Sequence, residues 1–284
     1  AAFVHQKVEA DIEVSMIVIG EKINSSIKRV AAAIESNDGS YIQKLAIDQV
    51  EAGADMLDVN AGTFLDREVQ LLQWLVRTVQ EVVEVPLCID SPNPLALKAA
   101  LSLHRGKALV NSISLESDRY SSIVPVVREF GASVVALCMD EHGIPRTVDN
   151  RIDIARRLAE KLESDCVPPN DIFFDVLVQP VSVDTTFGVT ALDTVRGIRE
   201  SIPGTHVTCG LSNVSFGLPE RRLLNSTFAA TLLASGMDTF IIDPLDSMLM
   251  AIMAAAKTLT GQDEFCEDYL KAFRSGKLKL NPDA

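Results

Sequence analysis

From Met16 onward the chain alternates between short apolar runs rich in β-branched residues and longer stretches in which apolar side chains recur at helical spacing. The short runs are MIVIG (16–20), DMLDVN (55–60), PLCID (86–90), ALVNS (108–112), SVVALCM (133–139), DIFFDV (171–176), HVTCGL (206–211) and DTFIID (238–243). Their length and composition predict eight strands. Each is followed by a helix-like stretch. The clearest takes Asp66 as its N-cap and carries Val69, Leu72, Leu75, Val76, Val79 and Val83 on one face.

Near-continuous apolar strands separated by amphipathic helices describe a parallel sheet covered by helices. Eight such units in about 250 residues predict an α/β fold of the closed (β/α)8 TIM-barrel type, in preference to an open doubly wound sheet. No GxGxxG follows a strand and no GxxxxGK[ST] occurs, so dinucleotide and P-loop readings lack their signatures. Pro168-Pro169-Asn170 reads as a turn before a strand, not a linker, and residues 16–284 read as a single domain. Residues 1–15 carry neither a basic start nor a signal-like apolar core and are set apart as an extraneous or disordered leader.

Charge narrows the partners. A formal net charge of -13, with no basic run, argues against nucleic acid or an anionic membrane, both of which need clustered Lys and Arg. Acids interrupt the apolar stretches, as in Met237-Asp238-Thr239 and Ile242-Asp243-Pro244, so none reaches the length of a membrane span. Cys88, Cys138, Cys166, Cys209 and Cys266 form no CxxC pair and read as reduced core residues of a cytoplasmic protein. His5, His104, His142 and His206 are too dispersed for a zinc site, and no protein-bound metal is expected.

In a barrel of this type the chemistry belongs at the C-terminal ends of the strands. There the chain places Glu21-Lys22-Ile23-Asn24, Asp58-Val59-Asn60, Asp90-Ser91, Asn111-Ser112, Asp175, Ser212-Asn213 and Asp243. Carboxylates and amides with a single lysine suit a neutral, donor-rich heterocycle. A carboxylate can accept two parallel N–H bonds from an aminopyrimidinone edge such as a pterin presents. Other readings stay open: helix caps and loop closures, magnesium held by Asp58, Asp90 and Asp175, or a Schiff base on Lys22.

IGEKIN at 19–24, LDVNAG at 57–62, LCIDS at 87–91, LVNSIS at 109–114 and GLSNVSFGLPERRLLNSTF at 210–228 closely resemble methyltetrahydrofolate:corrinoid protein methyltransferases. The resemblance runs from Met16 to about residue 274 and extends more weakly to the folate domain of cobalamin-dependent methionine synthase. It implies a pterin barrel that moves a methyl group between N5 of tetrahydrofolate and the cobalt of a corrinoid carried by a separate protein, in either direction. By resemblance Asp90, Asn111 and Asp175 hold the pterin, and Asn213 reaches N5. Asn213 and Asp90 are the expected catalytic pair, with Glu21, Asp58, Asn60 and Ser212 completing the substrate site. A homodimer is also expected, by resemblance and from the helix SMLMAIMAAA (247–256), apolar on more than one face. The alternatives are a dihydropteroate synthase-like enzyme, although SNVSFG and EKINSS replace that enzyme's Ser-Arg-Lys-like run and Asn-x-Thr-Pro-Asp-Ser-Phe-like loop, and a non-catalytic folate-binding partner of a corrinoid protein.

Overall fold

The computed structural model describes residues 16–278, so the expectation of a leader at 1–15 lies outside the described residues. Eight strands form, β1 (Ile17–Asn24), β2 (Met56–Asn60), β3 (Leu87–Asp90), β4 (Leu109–Ile113), β5 (Ser133–Leu137), β6 (Ile172–Asp175), β7 (His206–Thr208) and β8 (Thr239–Ile242). All pairs are parallel, in the order β7-β6-β5-β4-β3-β2-β1-β8. A parallel bridge between Gly210 and Ile241 joins the two ends of the sheet. At the opposite rim Asp238 reinforces that seam, accepting from the Val207 amide at 2.9 Å and from Arg199 at 3.1 Å. The result is a nearly closed (β/α)8 barrel.

The period-2 alternation of the strands separates two cores. Ile19, Cys88, Leu109, Val135 and Phe173 face inward and plug the barrel, with Met56 and Ile241 against them. Their neighbours Leu57, Leu87, Ile89, Val110, Val134, Phe174 and Val207 face outward and pack under the helices. The helix Glu68–Gln80 shows why: Leu72, Leu75, Val76 and Val79 are fully buried along one stripe, while Arg77 points to solvent.

Four expectations need correction. Asp66 does not cap that helix. It sits in a 3-10 turn, Gly62–Arg67, and the capping position falls to Arg67, whose side chain makes no cap bond. The seventh strand stops at Thr208 instead of 211, because the chain turns into the 3-10 segment Leu211–Asn213. The first strand runs on to Asn24 through an irregularity between Gly20 and Ile23. Cys88, Cys138 and Cys209 are core residues as expected, but Cys166 and Cys266 are exposed at positive-φ positions beside helix ends. In the helix Ser247–Leu259, Met253 is buried and Met248 and Met250 are half-buried. No helix among the described residues is long and apolar enough to cross a membrane.

Candidate functional site

Most strands that plug the barrel carry, two residues further on, a polar side chain on the same inward face, β5 being the exception with Leu137 after Val135. Cys88 is followed by Asp90, Leu109 by Asn111, Phe173 by Asp175, and Met56 by Asp58 and then Asn60. Strand register brings them side by side, pairing Asn60 with Asp90, Asp90 with Asn111, and Asp175 with Thr208. The C-terminal mouth therefore has an apolar floor and polar walls.

Asn60 is locked. Its Oδ1 accepts from Ser25 Oγ at 2.9 Å and from the Gly62 amide at 3.0 Å, which turns its Nδ2 onto Asp90 Oδ2 at 2.9 Å. Behind this pair, Ser91 Oγ donates to the buried Glu68 at 2.6 Å and Asn93 Nδ2 reaches the same carboxylate at 3.4 Å. Asp58 lies deeper, 3% exposed, and its Oδ1 finds no hydrogen-bond partner among the described residues. Burial, followed by the negative charge of Asp90, pushes the Asp58 carboxyl well above the usual carboxylate range, against the opposing pull of the neighbouring Cys88 thiol and Asn111 amide. Burial likewise raises Asp90, while the Asn60 amide pulls it back. Thr208 Oγ1, on the opposite wall, is also buried without a partner. Buried polar atoms normally find partners within the fold, and these two unpaired atoms sit on inward positions of the barrel wall.

Asp175 has half of its demand met. Its Oδ1 accepts from the Leu177 amide at 2.7 Å, and the other oxygen makes no protein hydrogen bond among the described residues. The turn that supplies this amide is held from below by Arg151, 1% exposed. Its guanidinium donates to the carbonyls of Pro145 (3.0 Å), Val176 (2.6 Å) and Leu177 (3.3 Å) and to Gln179 Oε1 (3.0 Å). Desolvation outweighs the Leu177 bond and the Arg151 charge, lifting the Asp175 pKa to about 6. In the unfolded chain this carboxyl ionises near pH 4. The folded state therefore holds the extra proton between roughly pH 4 and 6, and stability declines as pH rises through that window. Asp175→Asn is accordingly expected to stabilise the unliganded protein by about 2 kcal/mol at pH 7 and to lose that advantage below about pH 4. Urea unfolding of both proteins at the two pH values measures the difference.

On the far side of the mouth, Ser212 Oγ donates to Glu21 Oε1 at 3.3 Å. Lys22 is paired with Asp243 at 2.7 Å, so an ion pair occupies the one lysine considered for imine chemistry. Asn213 ends the 3-10 turn in an exposed position, and its side-chain amide has no hydrogen-bond partner among the described residues. It is neither a strand end nor a helix cap. Gly210 precedes the turn, and a Cβ there would make an ordinary contact with Asn213 Nδ2 at 3.4 Å. Glu21, Asp58, Asn60, Asp90, Asn111, Asp175, Ser212 and Asn213 thus all lie on the C-terminal side of the barrel. Sequence reasoning missed Arg151 and Thr208. Thr208 was available from the inward alternation of β7, whereas Arg151 sits on an amphipathic helix where arginine reads as a surface residue. Among the described residues no group of three or more His, Cys, Asp or Glu side chains is arranged to hold a metal ion.

A family model described as pterin binding enzyme matches residues 21–243. The chain is 40% identical over 265 residues to the methylcorrinoid:tetrahydrofolate methyltransferase of Eubacterium limosum, covering 93% of this chain and 98% of that protein. It is 30% identical over 241 residues to methionine synthase of Mycobacterium leprae, of which it spans only 20%. Among solved structures, dihydropteroate synthase of Coxiella burnetii in complex with pteroic acid superposes with a TM-score of 0.66 at 14% identity, over 88% of this chain and 94% of that one. Dihydropteroate synthase of Xanthomonas albilineans in complex with 7,8-dihydropteroate gives 0.65 at 18% identity, over 86% and 91%. Those two structures bear on the fold alone.

Proposed function

Because the chain belongs to the pterin-binding enzyme family, we propose that it is a methyltransferase acting between N5 of tetrahydrofolate and the cobalt of a corrinoid carried by a separate protein. The activity named for the Eubacterium limosum relative favours transfer from the methylcorrinoid to tetrahydrofolate, and the same site serves both directions. The observation that carries the reading is the polar wall above the apolar plug, with the free second oxygen of Asp175 and the unpaired Thr208 hydroxyl and Asp58 Oδ1. A pterin presents a row of N–H donors that such a wall accepts. Residues 16–284 act as one pterin-binding domain, the enzyme works in the cytoplasm, and two copies form a homodimer. A monomer in sedimentation at micromolar concentration would remove that last part.

In this reading Asp90, Asn111 and Asp175 hold the aminopyrimidinone edge, and the locked Asn60 keeps Asp90 in place from behind. Burial and the neighbouring Asp90 disfavour the anionic form of Asp58, which works against two adjacent charges at the site. A tertiary amine leaves poorly as an anion, so N5 needs a hydrogen bond that strengthens as its electron pair is released. Asn213 supplies it. Its amide can donate to unprotonated N5 or rotate to accept from N5–H, which fits a reversible transfer. The docked corrinoid supplies a low-valent cobalt nucleophile in one direction and the methyl group in the other.

The direct test mixes the purified protein with cob(I)alamin and methyltetrahydrofolate, follows the cobalt spectrum, and then runs the reverse reaction. Stoichiometric folate binding without exchange in either direction would favour a binding protein and overturn the proposal. Asn213→Ala is expected to slow single-turnover transfer by about 10²-fold, in the range for loss of one oriented donor, with a smaller loss of folate affinity. Because Asn213 is exposed and makes no side-chain bond, its thermal midpoint should stay within a degree or two of wild type. A variant that transfers at the wild-type rate would remove Asn213 from the chemistry.

A further inference from the structure

We infer that Glu21 is the carboxyl that delivers the proton to N5 when the methyl group leaves, and that takes it back in the reverse direction. The inference rests on the function proposed above and concerns a step that the pterin-holding residues leave open. Glu21 stands at the mouth on β1, and Ser212, the residue immediately before Asn213, donates its hydroxyl to Glu21 Oε1 at 3.3 Å. That contact ties Glu21 to the turn that carries the N5-directed amide. Glu21 Oε2 has no hydrogen-bond partner among the described residues, so one carboxyl oxygen is held and the other is free to carry a proton.

The charged groups around it are committed elsewhere. Lys22, the adjacent residue on the same strand, places its Nζ on Asp243 Oδ2 at 2.7 Å. Arg221, at the start of the helix Arg221–Ala234, spends its guanidinium on the Ser212 carbonyl at 2.7 Å and on Ser215 Oγ at 3.0 Å. What remains near Glu21 is acidic or neutral: Asp243 after β8, Asp58 on β2, and the buried Cys209 after β7. Burial, then the charge of Asp243, raises the Glu21 pKa, with Ser212, Lys22 and Arg221 opposing. A carboxyl in that setting keeps its proton further toward neutral pH than a solvated one, as a general acid must.

The step balances. The N5–CH3 bond breaks with its electron pair left on N5, and the methyl group passes as a cation equivalent to the cob(I) centre, which is oxidised by two electrons to the methylcob(III) form. The Glu21 proton moves to N5, leaving N5–H and a Glu21 carboxylate that recovers its proton from water. In reverse, the Glu21 carboxylate accepts the N5–H proton as the nitrogen pair attacks the cobalt-bound methyl.

The experiment compares wild type, Glu21→Gln and Glu21→Asp in single-turnover transfer from methyltetrahydrofolate, saturating at every pH, to cob(I)alamin between about pH 5.5 and 8.5, with tetrahydrofolate titration of each protein. Wild type is expected to slow as pH rises. Glu21→Gln should be slower by about 10²-fold at the acid end and flat with pH, while binding tetrahydrofolate within about threefold of wild type. Glu21→Asp should recover part of the rate together with the pH dependence, a rescue that a purely packing role would not produce. A Glu21→Gln profile that parallels wild type overturns the inference and leaves the methyltransferase reading standing. So does a rate loss matched by an equal loss of folate affinity. Wild-type protein that exchanges no methyl group at any pH overturns both.

Discussion

Asp175→Ala is expected to weaken tetrahydrofolate binding by about 2–4 kcal/mol, roughly 30- to 10³-fold in Kd, because it strands ligand N–H donors inside a desolvated mouth. One carboxylate oxygen already serves the Leu177 amide, so the free oxygen and the net charge do the recognising. The ionised form is the better acceptor. With the unliganded pKa at about 6, affinity should fall as pH drops below that value, by up to tenfold per unit, as a proton competes with the pterin. Isothermal titration at pH 5 and 7 reads both effects, and Asp175→Asn should erase the pH dependence. Affinity that is unchanged in Asp175→Ala would take the pterin assignment away from this wall. Set beside the stabilisation expected of Asp175→Asn, the result would place this carboxylate among groups retained for binding at a cost in stability.

Arg151→Leu is expected to destabilise the fold by about 3–5 kcal/mol, since a single side chain answers three backbone carbonyls and Gln179. Leucine fills part of the volume but leaves the Pro145, Val176 and Leu177 carbonyls without their donor. The loss should reach the site as well. The Val176–Leu177 turn carries the amide that orients Asp175, and Leu177 sits at φ 55°, a backbone conformation that needs outside support in a non-glycine residue. Denaturant unfolding together with tetrahydrofolate titration below the transition measures the two effects. A variant as stable as wild type would show that water replaces the guanidinium without loss.

The barrel was legible in the chain because strand and helix periodicities are local properties. Apolar runs such as LCID and LVNSI need only alternation and β-branching to be recognised, and all eight appear where the pattern puts them. The inward polar positions Asp58, Asp90, Asn111 and Asp175 follow from the same arithmetic, two residues beyond an apolar plug residue. Asn213 followed from its place just beyond the seventh apolar run, and the family motifs added its role at N5.

What the sequence could not express were relations between residues far apart in the chain. Asp66 has the composition of a helix cap, but the 3-10 turn that closes the β2 mouth takes it out of position. HVTCGL reads as one strand, yet regular pairing stops at Thr208, only Gly210 bridges on to Ile241, and Leu211–Asn213 turn as a 3-10 segment that leaves the Asn213 side chain without a partner among the described residues. Arg151 reads as a solvated helix residue until the loop after β6 folds beneath it. The elevated carboxyls depend on burial and on neighbours from other strands, Asp90 for Asp58 and Asp243 for Glu21, separations of 32 and 222 residues counted along the chain. Local pattern determined where strands and side-chain faces fall. Desolvation and long-range pairing, which arise only when the barrel closes, decided which of those carboxyls are raised above their usual range and which polar atoms the fold leaves unpaired.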